Sequence, residues 1–422
     1  MSLIPDRVVV VGQGYVGLPV AMRAVEAGFD VVGFEVDDDK VGQLNGSSSH
    51  VEDITDERLA SAIATGRYRA TADPADMAGF DVVVVSVPTP MGDGVPDLSF
   101  IETAGASLAP HVCRGSTVIL ESTTYPGTTE ELFAPILEAG SGLVAGTDFH
   151  LGYSPERIDP GNPNWGLENT PKVVSGVDAE SLKHVQGFFD RLVERTVPVS
   201  GTREAELTKL LENTFRHVNI ALVNELAIFS KDLGIDVWEA IDAASTKPFG
   251  YMRFTPGPGV GGHCLPIDPS YLSWQVERTL GHSFRFVELA NDVNKHMPDY
   301  VVRRVQALLN DHSKAVRGST VLVYGIAYKA NTSDARETPS RPIIEQLLEL
   351  GATVQLVDAH VPVGQFPPAA TPALGTPADL SAADVVVYLV DHDDVDRDAI
   401  TSAGVPVLDC RRALKGPDVQ YL

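Results

Sequence analysis

The chain has 422 residues, 44% hydrophobic and 21% charged, with 32 Lys and Arg against 57 Asp and Glu, a formal charge of -25. That length exceeds one ordinary domain and leaves room for two or three cores. The acidic balance argues against a nucleic-acid partner, since phosphate backbones need a basic footprint, and no apolar run reaches the ~18 residues of a membrane span.

The N-terminus enters a strand-like stretch without the basic region and cleavage site of a signal peptide, so a cytoplasmic location is expected. RVVVVGQGYVG (7–17) is a buried strand running into G-x-G-x-x-G. LPVAMRAVEAG has helical spacing, and FDVVGFEVD reads as a second buried strand. In such a βαβ unit Gly12 makes the tight turn, Gly14 lets backbone approach a pyrophosphate, and Gly17 packs the helix closely. Glu35, at the tip of the second strand, is placed to accept hydrogen bonds from a ribose and to repel a 2′-phosphate, which favours NAD over NADP.

DVVVVSVPTP (81–90) and STVILESTTYPG (116–127) extend the pattern, and their strand ends make Thr89 and Thr123 candidate cofactor neighbours. FHLGYSPERIDPGN (149–162) places Glu156 and Arg157 just beyond another strand. Residues 203–232 contain no Gly or Pro and predict a helix linking two lobes. Leu207, Leu211, Thr214, Val218 and Leu222 mark one face; Lys209, Asn213, Arg216, Ile220 and Asn224 mark a largely polar one, ordinarily a solvated face.

The three cysteines are too few and too widely spaced for a disulfide framework or a CxxC site, and no metal centre is expected. Cys113 and Cys410 read as buried thiols. Cys264 sits in GPGVGGHCLPIDP (257–269), with Asp268 before Pro269 as the expected N-cap and N1 of the next helix. A nearby helix N-terminus favours the thiolate, and the preceding glycines allow close approach or positive φ. From residue 317 a second βα region begins, RGSTVLVYGIAYK, whose first strand leads into GIAYKANTSDARETP rather than a glycine fingerprint. No second dinucleotide is expected there; Lys329 and Arg336 suit a different phosphate-bearing ligand.

A cysteine nucleophile beside an NAD lobe points to aldehyde oxidation through a thiohemiacetal and a thioester, and an alcohol substrate would need two such oxidations at one site. Lys209 and Asn213, at i and i+4, share a helix face and suit an oxyanion or a water.

GxGYVGLP, SxPTP, STTYPGTT, YSPERIDPGN, KLLENTFRHVNIALVNE, PGPGVGGHCLPIDP, GIAYKANTSDARETP and DCR together resemble the nucleotide-sugar 6-dehydrogenases, the group of UDP-glucose and UDP-N-acetylhexosamine dehydrogenases. The resemblance spans the chain. It implies an α/β fold of two Rossmann-like doubly wound domains joined by a long central helix and a helical middle region, divided as 1–202 (NAD), 203–300 (central, with the cysteine loop) and 301–422 (nucleotide sugar). It implies NAD-dependent four-electron oxidation of a sugar C6 hydroxyl to a carboxylate, with Cys264 as thioester-forming nucleophile, Lys209 and Asn213 at the oxyanion and water, and Asp268 and Glu156 in acid/base work. Tyr15, Val16, Glu35, Lys40, Thr89 and Thr123 fall at cofactor positions, and Arg157, Arg216, Tyr251, Arg253, Gly261, Lys329 and Arg336 at or near substrate positions. It also implies a homodimer about the central helix, with the cysteine loop near the interface. Glu35 replaces the usual aspartate, and Arg253 departs from the N-acetylglucosamine branch that residues 247–259 otherwise resemble. The alternatives are a two-electron hydroxyacid-type dehydrogenase, which gives Cys264 no role, and a non-catalytic NAD-binding sensor.

Overall fold

Runs of valine account for the first sheet. In the computed structural model, which describes residues 7–92, 95–159, 162, 164–262 and 264–422 (the side chains of Cys264 and Pro266 excepted), the chain divides into two compact units, Met1–Glu212 and Asn213–Leu422. The first contains β1 (Arg7–Val11), α1 (Gly17–Glu26), β2 (Asp30–Phe34), β3 (Tyr68–Thr71), β4 (Val82–Val85), β5 (Thr117–Leu120) and β6 (His150–Tyr153). These strands form one parallel sheet in the order β3-β2-β1-β4-β5-β6. Because side chains alternate, Val8, Val10, Val82 and Val84 enter the core on one face while Val9, Val11, Val83 and Val85 enter that on the other. Each buried valine contributes roughly 1.5–3 kcal/mol. The strand order reverses between β1 and β4, which places a crevice at their carboxyl ends.

The boundary between the units falls within α2 (Thr202–Asp232), a 31-residue helix about 46 Å long. The second unit continues with α3 (Cys264–Leu280), α4 (Arg285–Asp311), β7 (Thr320–Tyr324), α5 (Ser340–Glu349), β8 (Thr353–Val357), β9 (Thr371–Pro372), β10 (Val385–Tyr388), β11 (Val407–Asp409) and β12 (Val419–Tyr421). Its sheet is also wholly parallel, in the order β9-β8-β7-β10-β11-β12, so it repeats the first topology. Both sheets are doubly wound. Among the described residues no helix is long and apolar enough to cross a membrane.

Three local expectations are corrected. The polar face of α2 is only partly solvated: Asn213 and Asn224, and His217 beside them, are buried, Lys209 and Ile220 are half-buried and Arg216 is exposed, whereas Leu207, Leu211 and Leu222 are 42%, 63% and 53% exposed. Each of those buried polar groups has a tertiary hydrogen-bond partner, which offsets its loss of water. Asp268 is not an N-cap, because α3 already begins at Cys264 and Pro269 lies inside it. The Asp268 carboxylate is engaged instead by Asn213, and this tertiary contact overrides the local capping rule. Cys113 is exposed, not buried; Cys410 is buried, and burial pushes its thiol up to about 12.

Candidate active site

In the first unit the glycine fingerprint has the geometry its spacing predicts. Gly12 adopts φ +88°, and a Cβ there would lie 2.6 Å from the Ser86 carbonyl oxygen; one on Gly17 would lie 1.9 Å from that of Gly12. A Cβ on Gly14 would meet nothing within 4 Å, so at this position the backbone borders open space that a pyrophosphate fits. At the tip of β2, Glu35 accepts the Gln13 backbone N–H at 3.1 Å and that of Asp37 at 3.3 Å, which fixes its carboxylate beside the fingerprint.

Beneath it lies a network the motif reading missed. The Gln13 amide donates to the Val10 carbonyl at 2.9 Å and accepts from the Tyr68 hydroxyl at 2.8 Å, with burial and Glu35 holding that phenol well above its usual range. A Cβ on Gly33 would stand 2.5 Å from Gln13 Oε1. The glycine within β2 was the available signal, since glycine inside a strand marks a close approach. Tyr15 is exposed, and Val16, Lys40, Thr89 and Thr123 are half-buried, with Lys40 lying 3.9 Å from Asp37. These residues fit a bound NAD: the opening at Gly14 would take the phosphates, and the Glu35 carboxylate would take ribose hydroxyls.

The loop after β5, which carries Thr123, is fastened to α2 by Glu206. That buried carboxylate accepts the N–H groups of Gly127 (2.5 Å) and Thr129 (2.9 Å) and the Thr129 hydroxyl (2.7 Å). Close by, Glu121, Glu156 and Lys172 are all buried, and Lys172 pairs with both carboxylates. Lys209, on α2 in the same unit, adds its positive charge to the field at Glu121 and Glu156. Arg157 is held by Glu212, with bonds of 2.6 and 3.2 Å, and by the Pro171 carbonyl.

In the second unit the inward polar groups of α2 bond to the cysteine loop, to α3 and to α4. Asn213 donates to Asp268 at 2.7 Å; His217 meets Asn291 at 2.8 Å; Asn224 donates to Asn294 at 2.9 Å and accepts the Gly257 N–H at 2.9 Å. Burial keeps the His217 imidazole below its ordinary value, against the pull of Asn291. The glycines before Cys264 serve packing. A Cβ on Gly261 would lie 2.7 Å from the Glu337 carbonyl oxygen and 2.8 Å from Pro339, and one on Gly262 (φ +78°) would lie 2.7 Å from the Tyr328 ring. The cysteine loop therefore lies directly on the 328–339 segment that carries Lys329 and Arg336. The thiol of Cys264 itself belongs to the side chains outside the described residues.

A cavity of about 1070 Å³ opens beside this contact, lined by His217, Val260, Asn294, Lys295 and Arg336 among others. Arg336 also makes a two-pronged pair with Asp334. Arg253 pairs with Asp242 at 2.5 Å, while Tyr251 and Arg216 are exposed. Arg411 of the DCR sequence, whose guanidinium lies 3.1 Å from where a Gly257 Cβ would stand, backs the same loop.

The second sheet does not repeat the dinucleotide site. Asp358, the counterpart of Glu35 at the tip of β8, spends its carboxylate on the N–H groups of Ile326 (2.8 Å) and Ala327 (3.1 Å) and on His392. Val390 crowds Gly325, and loop rather than helix follows β7. His360, His392 and Asp394 cluster nearby, but both His392 nitrogens are engaged, by the Asn331 N–H and by Asp358.

Three family descriptions match the chain in order. They are the NAD binding domain of the UDP-glucose/GDP-mannose dehydrogenase family (residues 6–222), its central domain (203–296) and its UDP binding domain (322–416). The UDP-N-acetyl-D-mannosamine dehydrogenase of Pyrococcus horikoshii is 32% identical over 426 residues, covering 99% of this chain and 98% of the other. Its solved structure superposes with a TM-score of 0.89 over 98% of each chain. An NDP-N-acetyl-D-galactosaminuronic acid dehydrogenase of Ralstonia solanacearum is 34% identical over 393 residues, covering 91% of this chain and 90% of the other.

Proposed function

The chain belongs to the UDP-glucose/GDP-mannose dehydrogenase family, an NAD-dependent oxidoreductase family acting on nucleotide sugars, and from that premise we propose that it oxidises the C6 hydroxyl of a nucleoside-diphospho-N-acetylhexosamine to the carboxylate. The observation that carries this reading is the clamp on the cysteine loop, where Asn213 holds Asp268 within the helix that Cys264 begins and Gly261 and Gly262 lie on the Lys329 segment. The N-acetylhexosamine class is favoured by the names of the relatives above.

NAD, held by Gly12, Gly14, Gly17 and Glu35, supplies when bound the acceptor for the two electron pairs removed from C6. Cys264 starts a helix whose positive N-terminal end favours the thiolate. Its sulfur adds to the aldehyde carbon, and after the second oxidation it carries the sugar as a thioester. Water then adds to that carbonyl, Glu156 takes the water proton, the Lys209 ammonium offsets the charge on the oxyanion, and the thiolate leaves. Overall, one alcohol, one water and two NAD yield one carboxylate, two NADH and three protons. Lys329 and Arg336 meet the diphosphate.

The exposed Leu207, Leu211, Phe215 and Leu222 lie four, four and seven residues apart on α2 and favour a second copy as the covering surface, hence a homodimer. The test is a panel of UDP and dTDP hexoses and UDP-N-acetylhexosamines, read by NADH formation and mass of the acid. N-acetylhexosamines should turn over best; exclusive turnover of a plain glucose nucleotide would overturn the substrate class.

A further inference from the structure

Lys172 stands between two carboxylates. It begins the short strand Lys172–Val174, is 3% exposed, and pairs with Glu121, the residue after β5, and at 3.3 Å with Glu156 beyond β6. The two acids differ in what else they meet. Glu156 Oε1 accepts the N–H groups of Arg157 (2.6 Å) and Ile158 (2.5 Å). Glu121 places one oxygen on Lys172, while Oε2 is buried with no hydrogen-bond partner among the described residues.

Two carboxylates and one ammonium would leave a net negative charge out of reach of water, and that excess falls on the group with the fewest donors. We infer that Glu121 is a positioning residue: it carries the one carboxyl proton of the trio, accepts from the Lys172 ammonium as a neutral acid, and so leaves that positive charge uncompensated to keep Glu156 ionised as the base for thioester hydrolysis. Of the charged groups facing Glu121, one carboxylate favours its protonated form and two ammonium groups oppose it. They are Lys172 from its strand, Glu156 from the loop after β6 and Lys209 from α2. Burial pushes the Glu121 carboxyl up to about 7 despite the pull of Lys172. Burial acts the same way on Glu156, but Lys172, Lys209 and the two backbone donors outweigh it and hold that carboxyl below its usual range.

The role rests on the proposed function, whereas the location of the proton does not. Infrared difference spectra of the whole protein at about pH 6 against about pH 8.5 should show a protonated carboxyl band that is absent from Glu121→Gln and that changes frequency in Glu121→Asp but not in Glu156→Asp. A band that survives Glu121→Gln, or no such band in the unaltered protein, overturns the assignment. In the pH profile of kcat for acid formation, Lys172→Met should move the acidic limb upward by about two units, because both carboxylates lose their ammonium. Glu121→Gln, a permanent mimic of the protonated form, should leave that limb in place; an upward shift in Glu121→Gln would refute the positioning role. If Glu156→Gln hydrolyses the thioester at the normal rate, the function assigned to Glu156 fails and the spectra still decide where the proton resides.

Discussion

Replacing Gly262 by alanine separates packing from mere flexibility in the cysteine loop. The residue has φ +78°, a conformation that costs an L side chain roughly 1–2 kcal/mol. The new Cβ would then stand 2.7 and 2.9 Å from Cε2 and Cδ2 of Tyr328, well inside van der Waals contact. Relief requires about 1 Å of movement, by the ring or by the loop two residues before Cys264, and a shift of that size at a reacting group costs about 10²-fold in rate. Gly262→Ala should therefore lower kcat by about two orders of magnitude and the unfolding free energy by about 2–4 kcal/mol. NAD affinity, set in the other unit, should be unchanged. Initial rates of NADH formation, thermal unfolding and an NAD titration are the assays. A variant within twofold of the unaltered kcat and stability would refute the claim that the glycine is required for this close contact.

The fingerprint glycines should respond differently from one another. Gly14→Ala, whose Cβ enters open space, should fold normally and weaken NAD binding, whereas Gly17→Ala, 1.9 Å from the Gly12 oxygen, should fail to yield folded protein; soluble yield and an NAD titration check both. Glu206→Gln replaces an acceptor of the Gly127 and Thr129 N–H groups by an amide that donates, and should cost about 1–3 kcal/mol in chemical denaturation. Leu211→Glu with Leu222→Glu on the exposed face of α2 should leave a folded monomer by light scattering, and a persisting dimer would refute that interface.

Much of the fold was legible because its signals are local. Valine runs such as Val82–Val85 leave little choice but a buried parallel strand, and the positions of Gly12 and Gly17 follow from backbone sterics that any such turn must satisfy. What was missed depends on tertiary partners. The inward polar side of α2 reads as solvated until Asn291, Asn294, Asp268 and Gly257 are seen to meet it. Asp268 reads as a cap because Asn213, 55 positions away, is invisible to a local rule. Glu121 ends an ordinary valine-like strand in the sequence, and nothing near it in the chain announces Lys172. Gln13 sits between two glycines whose own roles are so well defined that its buried amide drew no notice.

The central claim is that one site removes two electron pairs from one carbon with Cys264 holding the intermediate. NADH released per molecule of nucleotide sugar, measured to completion with limiting substrate, tests it most directly. The account predicts two for the unaltered protein, with a uronic acid as product, and no acid from Cys264→Ala. A yield of one NADH with an aldehyde or ketone as the final product, or undiminished acid from Cys264→Ala, would contradict it.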